Sequence, residues 1–509
     1  MTNGLDLSAV LKASPPSDPT RRVYVNRHLD MEEIQAIGFD MDYTLVQYQQ
    51  RALDELTVEK TVNKLIDNFG YSEEIRQIEL DYDFIIRGLV VDKKTGHICK
   101  VDQHRVVGRC YHGYQVISDE ERISLYGLKP ISLNSERFAR VDTLFALPES
   151  TLMAGIIEYY KQKGETLPVS PGELCMNIRY AIDEAHRDNS LKAAIMANPE
   201  VYVLPDPDLG PTLHKLKLAG KKLFLLTNSE HYYTEAVMSY LLDGVLPFFE
   251  SWRDYFDIIL VNGRKPSFFN DPNPFIRLDQ HGNELDEPVT ALLPRQIYSG
   301  GNIHDLERMM NLTGAQILYV GDHIFADIVI SKRSAWWRTA LVIQEMREGV
   351  RLTVEHVEQF NRIYQLDQTA RQLDDMINYQ RTLTRSLERV QKLIVALTSP
   401  ETHVIDSTRE RAEQEIQNRT QQLNDILYEV EQIEAAIDQQ FNKYWGSPFR
   451  ERHELSHFGA QVKSYADIYT SQVSNFLFYS PDQHFRAARS FLPHEKEHLG
   501  HLPPHTSLD

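Results

Sequence analysis

Residues Gln35–Leu45 read Q-A-I-G-F-D-M-D-Y-T-L. The apolar start of this stretch, up to Phe39, predicts a short buried strand, and the carboxylates of Asp40 and Asp42 follow it directly. In an open parallel sheet, ligands bind at the carboxyl ends of the strands, so this pair is expected in a binding crevice. Neighbouring carboxylates repel each other, and a divalent cation that prefers oxygen ligands, with Mg²⁺ as the natural choice, relieves that repulsion. A bare D-x-D is more often a helix cap, so the interpretation depends on the rest of the chain.

Composition limits the class of protein. The chain has 509 residues, which is long enough for roughly two or three structural units. Its 54 basic and 73 acidic residues give a formal net charge of -19, which argues against general binding to nucleic acid or to an anionic membrane. Cys99, Cys110 and Cys175 form no C-x-x-C pair, so neither a zinc site nor a disulfide framework is predicted. Without a signal peptide or a long apolar run, we expect a soluble cytoplasmic protein.

Later apolar segments also end in polar side chains. They are Lys221–Leu226 before Thr227, Asn228 and Ser229, Tyr255–Val261 before Lys265, and Gln316–Val320 before Asp322 and Asp327. Taken singly, Thr-Asn-Ser suits a helix N-cap as well as a phosphate site, and a lysine after a strand is usually a solvated charge. Together and in this order, they supply the carboxylates, hydroxyl group and cation that phosphoryl transfer through an aspartate requires.

Between the first and second of these motifs the sequence changes character. From about residue 106 to residue 203 the pattern is mostly helical, which predicts a lid inserted into the core. Met176 to Lys192 is predicted as one helix on which Arg179, Asp183 and His186 share a face. An exposed ion pair between Arg179 and Asp183 is the commoner explanation of such spacing.

The C-terminal third predicts long helices. Apolar residues recur at spacings of three and four from Leu366 to Leu397 and again from Ala412 to Ile437, with Thr398-Ser399-Pro400 between them and the return helix opening near Asp406. This pattern predicts an antiparallel hairpin that packs on the core or on another subunit. The predicted organisation is a flexible N-terminus (1–21), core (22–105), lid or cap (106–203), core (204–350), hairpin (351–445) and a C-terminal segment that returns to the core (446–509).

These motifs resemble the haloacid dehalogenase (HAD) superfamily and, within it, the cytosolic purine 5′-nucleotidase family. The narrower resemblance rests on G-F-D-M-D-Y-T-L, on R-K-P at 264–266, on Y-S-G-G at 298–301, on G-D-H-I-F-x-D at 321–327 and on L-P-H-E at 492–495. The resemblance extends from about Arg22 to Glu495. It implies an α/β fold, with a doubly wound, HAD-like (Rossmannoid) parallel-sheet core, an inserted cap and the C-terminal helical hairpin.

The resemblance also implies a mechanism. Asp40 would attack the phosphorus of a nucleoside monophosphate, and Asp42 would protonate the leaving 5′-oxygen and later activate water. Mg²⁺ would be held by Asp40, the backbone carbonyl of Asp42 and Asp322. Thr227, Asn228 and Lys265 would contact the phosphate, and Asp327 would tether the lysine side of the site. The resulting acyl-phosphate could be hydrolysed or could pass its phosphoryl group to a nucleoside.

For the substrate, the resemblance points to purines. Phe145 matches an aromatic residue that stacks on the base, and the residues that match contacts to the purine and the ribose-phosphate are Arg179, Asp183, His186 and Lys192. Arg179 can donate to a 6-oxo group, and Asp183 can accept from N1–H or a 2-amino group. We therefore expect IMP, GMP and their deoxy forms to be preferred over adenine nucleotides.

An effector site and a tetramer are implied by the resemblance alone. The residues that match the nucleotide-effector site are Asp142, Phe325, Lys332, Arg333, Gln461 and Tyr465. Asp142 and Ser464 replace an amide and an arginine of relatives, which should weaken the binding of a polyphosphate. Two alternatives stay open: a phosphatase for a sugar phosphate or a pyrimidine nucleotide, and a non-catalytic helical scaffold that has kept an old core.

Overall fold

The computed structural model describes residues 16–394, 401–492, 494 and 495. The chain divides into a larger unit, Met1–Arg347 with Glu454–Asp509, and a smaller unit, Glu348–His453. The loop predicted at 398–400, part of the L-P-H-E motif and most of the predicted flexible N-terminus lie outside the described residues. No helix in the described ranges is both long enough and apolar enough to cross a membrane.

The secondary structure of the described chain alternates strands and helices. The strands are β1 Tyr24–Val25, β2 Leu29–Asp30, β3 Ala36–Phe39, β4 Gln47–Tyr48, β5 Leu89–Asp92, β6 His97–Val101, β7 Val107–His112, β8 Gln115–Val116, β9 Phe138–Arg140, β10 Val203–Leu204, β11 Lys222–Leu226, β12 Ile258–Val261, β13 Phe275–Leu278, β14 Ile297–Gly300, β15 Ile317–Gly321, β16 Arg338–Val342, β17 Arg450–Glu451, β18 Glu454–Leu455, β19 Ile468–Thr470 and β20 His484–Phe485. The α-helices are α1 Gln50–Phe69, α2 Asp119–Tyr126, α3 Leu147–Gln162, α4 Pro171–Arg187, α5 Ser190–Ala197, α6 Pro199–Tyr202, α7 Leu209–Leu218, α8 His231–Leu242, α9 Ser267–Asn270, α10 Ile303–Met310, α11 Ile330–Ala335, α12 Met346–Glu355, α13 Val357–Ile394, α14 Glu401–Phe441 and α15 His457–Tyr465. Short 3₁₀ helices cover Pro19–Arg21, Glu73–Gln77, Leu144–Ala146, Trp252–Tyr255, Gly314–Gln316 and Val473–Phe478, and Ile324–Val329 is π-helical.

A nine-stranded sheet forms the centre of the larger unit, with the order β1-β19-β16-β15-β3-β11-β12-β14-β13. The middle strand, β3, runs parallel to both of its neighbours, β15 and β11. The other pairs are parallel too, except that the edge strands β1 and β13 pair antiparallel. The predicted α/β fold class with a doubly wound parallel sheet is confirmed.

The central strands are apolar because both faces of the sheet are covered. All four residues of β3 are buried, as are all five of β15, which is the burial expected of a parallel sheet between helices. Gly38 in β3 allows the neighbouring strand to approach, because a Cβ there would lie 2.1 Å from the Phe224 ring of β11. Strand β12 starts at Ile258, later than predicted, because Ser251 caps a 3₁₀ turn over Trp252–Tyr255.

A second sheet differs from the sequence-based boundaries. It has five antiparallel strands in the order β8-β7-β6-β5-β9. The boundary predicted at residue 106 falls between the paired strands β6 and β7, so a single sheet spans it. Strands β5, β6 and β7 each pair with the next strand in sequence, and the stretch predicted as mostly helical also contains the helices α2 to α6.

The stretch Met176–Lys192 forms two helices: Arg179, Asp183 and His186 lie together on α4 as expected, whereas Lys192 lies on α5. Ser170 caps the start of α4, where its side chain accepts from the backbone N–H of Glu173. The break falls at Asn189, which adopts a left-handed conformation with φ of 65°, and asparagine tolerates this conformation better than most residues. The Asp188 carboxylate then accepts from the backbone N–H of Ser190 at 2.9 Å.

The smaller unit contains two long helices, α13 and α14. Arg362 contacts Glu429 at 2.8 Å, and near the other end Gln391 donates to Asp406 at 2.6 Å, so the two helices run antiparallel. Helix α14 already includes Glu401, which places its start before the predicted Asp406.

Candidate active site

The polar residues predicted at the strand ends lie along one edge of the central sheet. Asp40 follows β3, Thr227 follows β11, Asp322 follows β15, and Lys265 lies in the loop after β12. Phe39 of β3 is in register with Leu225 of β11 and with Val320 of β15, so these strands end at the same level. The strand order β15-β3-β11-β12 therefore brings residues that are far apart in sequence to one crevice.

Lys265 joins two of the carboxylates. Its Nζ lies 2.9 Å from Asp40 Oδ1 and 2.8 Å from Asp327 Oδ1, and it donates to the Tyr319 hydroxyl at 3.1 Å. Burial disfavours the charged amine, but the Asp327 and Asp40 carboxylates outweigh burial and raise the pKa of Lys265 well above its usual value. The lysine is therefore a fixed cation beside the predicted nucleophile.

Two neighbours of the lysine come from the segment after β11. The Asn228 amide donates to the backbone carbonyl of Lys265 at 3.0 Å and accepts from its N–H at 2.6 Å. Asn228 was predicted to contact the phosphate. In the structure its side chain holds the backbone of the loop that carries Lys265. Thr227 is fully buried, and its hydroxyl accepts from the backbone N–H of Ser229 at 3.0 Å.

Three buried acids form a cluster that could hold a metal ion. One carboxylate oxygen from each of Asp40, Asp322 and Asp327 lies within 4.8 Å of the other two. Asp322 Oδ2 is buried and accepts no hydrogen bond from the described residues, and the cation nearest to it is Arg87, whose Nη1 lies 3.9 Å away, beyond hydrogen-bond distance. Oxygen ligands of this kind suit Mg²⁺. The residues present therefore fit the predicted metal.

Within the cluster, Asp327 is already engaged. Its Oδ1 pairs with Lys265, and its Oδ2 accepts from the backbone N–H of His323 at 3.1 Å. Gly321 permits this approach, because a Cβ there would lie 2.5 Å from the Asp327 side chain. Asp40 and Asp322 are thus the side chains better placed as ligands. The Asp42 carboxylate is not part of the cluster, and the resemblance assigned only its backbone carbonyl to the metal.

Burial raises the pKa of the other two acids of the cluster, Asp40 and Asp322. It raises the pKa of Asp40 to about 7, although Lys265 acts in the opposite direction. Burial also raises the pKa of Asp322 well above its ordinary value, and the nearby Asp327 charge adds to this. A divalent cation would favour the ionised forms of both carboxylates and so the nucleophilic form of Asp40.

Both oxygens of the Asp42 carboxylate accept hydrogen bonds from hydroxyl groups. Tyr48 donates to Oδ1 at 2.5 Å, and Ser229 donates to Oδ2 at 2.7 Å. The Tyr48 hydroxyl also lies 2.9 Å from that of Tyr233. Sequence reasoning missed both tyrosines, because no local pattern in β4 or α8 connects them to Asp42.

The predicted base-recognition residues on α4 line one cavity of about 590 Å³. Phe145, Arg179, Asp183 and His186 all contribute to its wall. Arg179 Nη2 is paired with Glu149 Oε2 at 2.8 Å, a partner that the sequence did not suggest. Lys192, which is on the separate helix α5, pairs with Glu230 instead.

The predicted effector residues fall into two groups. Asp142 and Phe325 line the same cavity, where Arg140 pairs with Asp142 at 3.3 Å and its guanidinium lies 4.9 Å from the Phe325 ring. In the other group, Lys332 contacts the carbonyl of Tyr465 and Arg333 donates to the Tyr465 hydroxyl, at 3.1 and 2.8 Å. Gln461 lies on α15 with Tyr465.

The doubly wound sheet with a buried carboxylate–lysine cluster at its carboxyl edge is the arrangement that the sequence predicts for an α/β phosphatase. The chain belongs to the 5′ nucleotidase family, whose model matches residues 23–497. This finding confirms the family resemblance and makes the protein a hydrolase of that family.

Similar proteins match this chain over nearly its whole length. A 5′-nucleotidase domain-containing protein of Dictyostelium discoideum is 29% identical over 499 residues, which cover 96% of this chain and 77% of the relative. The human 5′-nucleotidase domain-containing protein 2 is 28% identical over 485 residues, which cover 93% of this chain and 85% of the relative. A solved structure of a predicted phosphoglycolate phosphatase from Haemophilus somnus matches with 15% identity and a TM-score of 0.24 over 61% of this chain and 85% of that one, and so weak a match supports no conclusion.

Proposed function

We propose that this protein is a Mg²⁺-dependent 5′-nucleotidase that hydrolyses 6-oxopurine nucleoside monophosphates (IMP, GMP and their deoxy forms) through an aspartyl-phosphate. It also transfers the phosphate to nucleosides. The observation that carries the proposal is the contact of Lys265 with Asp40 beside Asp322, because phosphoryl transfer through an aspartate would use a carboxylate next to a fixed cation and a second carboxylate.

The reaction has two steps. In the first, Asp40 Oδ attacks the phosphorus, the bond to the 5′-oxygen breaks, and Asp42 delivers a proton to that oxygen. In the second, Asp42 takes a proton from the water that attacks the aspartyl-phosphate, which returns Asp40 as a carboxylate. Lys265 and Thr227 hold phosphate oxygens, and Asp327 keeps the lysine in place. Mg²⁺ held by Asp40, Asp322 and the Asp42 carbonyl would neutralise phosphate charge.

The cavity lined by Phe145 and residues of α4 supports a purine substrate. The Phe145 ring offers a stacking surface, and Arg179, Asp183 and His186 supply polar groups around it. A donor for the 6-oxo group and an acceptor for N1–H reject adenine, because adenine would leave both groups unpaired. From the family resemblance we further propose that Lys192 meets the ribose-phosphate, that a purine nucleotide effector binds near Phe325 and Tyr465, and that the protein is a cytoplasmic homotetramer.

The test is phosphate release from IMP, GMP, AMP, UMP and glucose 6-phosphate, each with Mg²⁺ and with EDTA. We expect IMP and GMP to be hydrolysed fastest and EDTA to stop the reaction. The Asp40→Asn variant should lose at least about a thousandfold of the rate, as expected for removal of a nucleophile. Asp375→Asn makes the same change at an exposed position of α13 and should keep the rate. Undiminished turnover by Asp40→Asn would refute the nucleophile, and preference for UMP or glucose 6-phosphate would refute the substrate.

A further inference from the structure

The acid–base carboxylate is held on both oxygens by groups from different elements. Tyr48 of β4 donates to Asp42 Oδ1, and Ser229 in the segment between β11 and α8 donates to Oδ2. A carboxylate bound on one side can rotate about its Cβ–Cγ bond, whereas two donors from opposite sides fix its plane. The direction in which Asp42 presents its proton is therefore set by these two hydroxyl groups.

Tyr48 is itself held in place. Its side chain is fully buried, its ring packs edge-on against Tyr43 with 5.0 Å between centroids, and its hydroxyl lies 2.9 Å from that of Tyr233. Because the Tyr48 proton is used on Asp42, the Tyr233 hydroxyl is the donor in the second contact. Tyr233 belongs to α8 and is only 3% exposed, so the contact between the hydroxyl groups of Tyr233 and Tyr48 is shielded from water.

The buried hydroxyl of Tyr48 needs a hydrogen-bond partner, but this need does not by itself explain its contact with Asp42. A buried tyrosine needs one hydrogen-bond partner, and Tyr233 already provides one. A hydroxyl, unlike a backbone N–H or a lysine, can either donate or accept. It can therefore keep its hydrogen bond to Asp42 whether the carboxyl carries the proton or not, as a general acid and base requires.

We propose that Tyr48 is a positioning residue that aims the Asp42 carboxyl at the leaving-group oxygen, and that Tyr233 holds Tyr48 in this position. The inference rests on the proposed function, since it assigns proton delivery to Asp42. The proposed role of Tyr48 predicts that the effect of removing its hydroxyl depends on the leaving group. A nucleoside 5′-oxygen is a poor leaving group that needs the proton, whereas p-nitrophenolate leaves without it.

The experiment compares kcat/KM for the best nucleoside monophosphate with kcat/KM for p-nitrophenyl phosphate in Tyr48→Phe and Tyr233→Phe. We expect Tyr48→Phe to lose about 10- to 100-fold with the nucleotide and less than about threefold with p-nitrophenyl phosphate, since only the first needs proton delivery. Tyr233→Phe should show the same pattern with a smaller loss. The matched control is Tyr255→Phe, because the Tyr255 hydroxyl is buried and has no hydrogen-bond partner among the described residues.

The ratio of the two substrates separates the role of Tyr48 from folding, because any loss of active protein lowers both values equally. Equal losses on the two substrates would overturn the positioning role. Failure of the proposed function would look different: the wild-type protein would hydrolyse p-nitrophenyl phosphate but no purine nucleotide. In that case the same ratio measured with the preferred alkyl phosphate still decides the role of Tyr48.

Discussion

Arg179 pairs with the carboxylate of Glu149, whereas the carboxylate of Asp183 lines the cavity. This difference matters for the proposed recognition of the base. Glu149 is 7% exposed and pairs with Arg179 Nη2 at 2.8 Å, while burial raises the pKa of Glu149. Asp183, one turn along α4, is exposed at the cavity wall. Glu149 therefore orients the guanidinium, and under the proposed function Asp183 is the acceptor left for a bound base.

Asp183→Ala should accordingly affect the base and not the chemistry. We expect a loss of about 10- to 100-fold in kcat/KM with GMP, the cost of one buried polar contact left unmade, and little change with p-nitrophenyl phosphate. The measurement is steady-state kinetics on both substrates. Glu184→Ala on the same helix is the control, because Glu184 accepts from Asn68 and does not line the cavity. Similar losses on both substrates would contradict a role in base recognition.

At the scale of single elements, α1 carries a buried acid. Asp54 is 4% exposed and accepts from the Gln50 amide at 2.7 Å, one turn earlier in the helix. Burial raises the pKa of Asp54 from 3.8 to about 7, against the opposing effect of Gln50. The folded protein thus holds a proton that the unfolded chain releases, so this residue lowers stability as the pH rises from about 4 to about 7.

Replacing the acid by its amide removes that pH dependence. We expect Asp54→Asn to stabilise the protein relative to wild type, and by more at pH 8 than at pH 5.5, because wild-type Asp54 costs about 1 kcal/mol for each pH unit within the window. Thermal unfolding at the two pH values measures the difference. Asp67→Asn, an exposed acid on the same helix, should show no such change. A gain that is equal at both pH values would mean that Asp54 is already ionised without cost.

Some strands could be predicted from the sequence, and others could not. Strands β3, β11 and β15 were predictable, since apolar runs that end in Asp40, Thr227 and Asp322 carry their signal locally. The second sheet was not recognised, because its strands are only two to six residues long, although β5, β6 and β7 each pair with the next strand in sequence. Tyr48 escaped prediction because its contact with Asp42 depends on where β4 lies, and β4 pairs with β10 some 150 residues later.

The whole molecule combines a formal charge of -19 with a cluster of three buried carboxylates. Lys265 contacts Asp40 and Asp327, and Arg87 Nη1 lies 3.9 Å from Asp322 Oδ2, which accepts no hydrogen bond within the described chain. Such a cluster costs folding free energy without a metal, since like charges are held together away from water. Under the proposed function, a divalent cation held by Asp40 and Asp322 would offset this cost.

Metal binding should therefore appear in the stability of the whole protein. We expect Mg²⁺ to raise the Tm of the wild-type protein, by the equivalent of about 2.7 kcal/mol when its concentration is a hundred times Kd. Asp322→Asn should raise the Tm measured in EDTA at neutral pH, because it removes the stability cost of a carboxyl whose pKa is raised in the folded protein, and should lose the rise caused by Mg²⁺. Asp375→Asn should behave like wild type, and NaCl of equal ionic strength controls for screening of the acidic surface. If Mg²⁺ stabilised Asp322→Asn as much as wild type, the ion would bind elsewhere and the buried acids would not form its site.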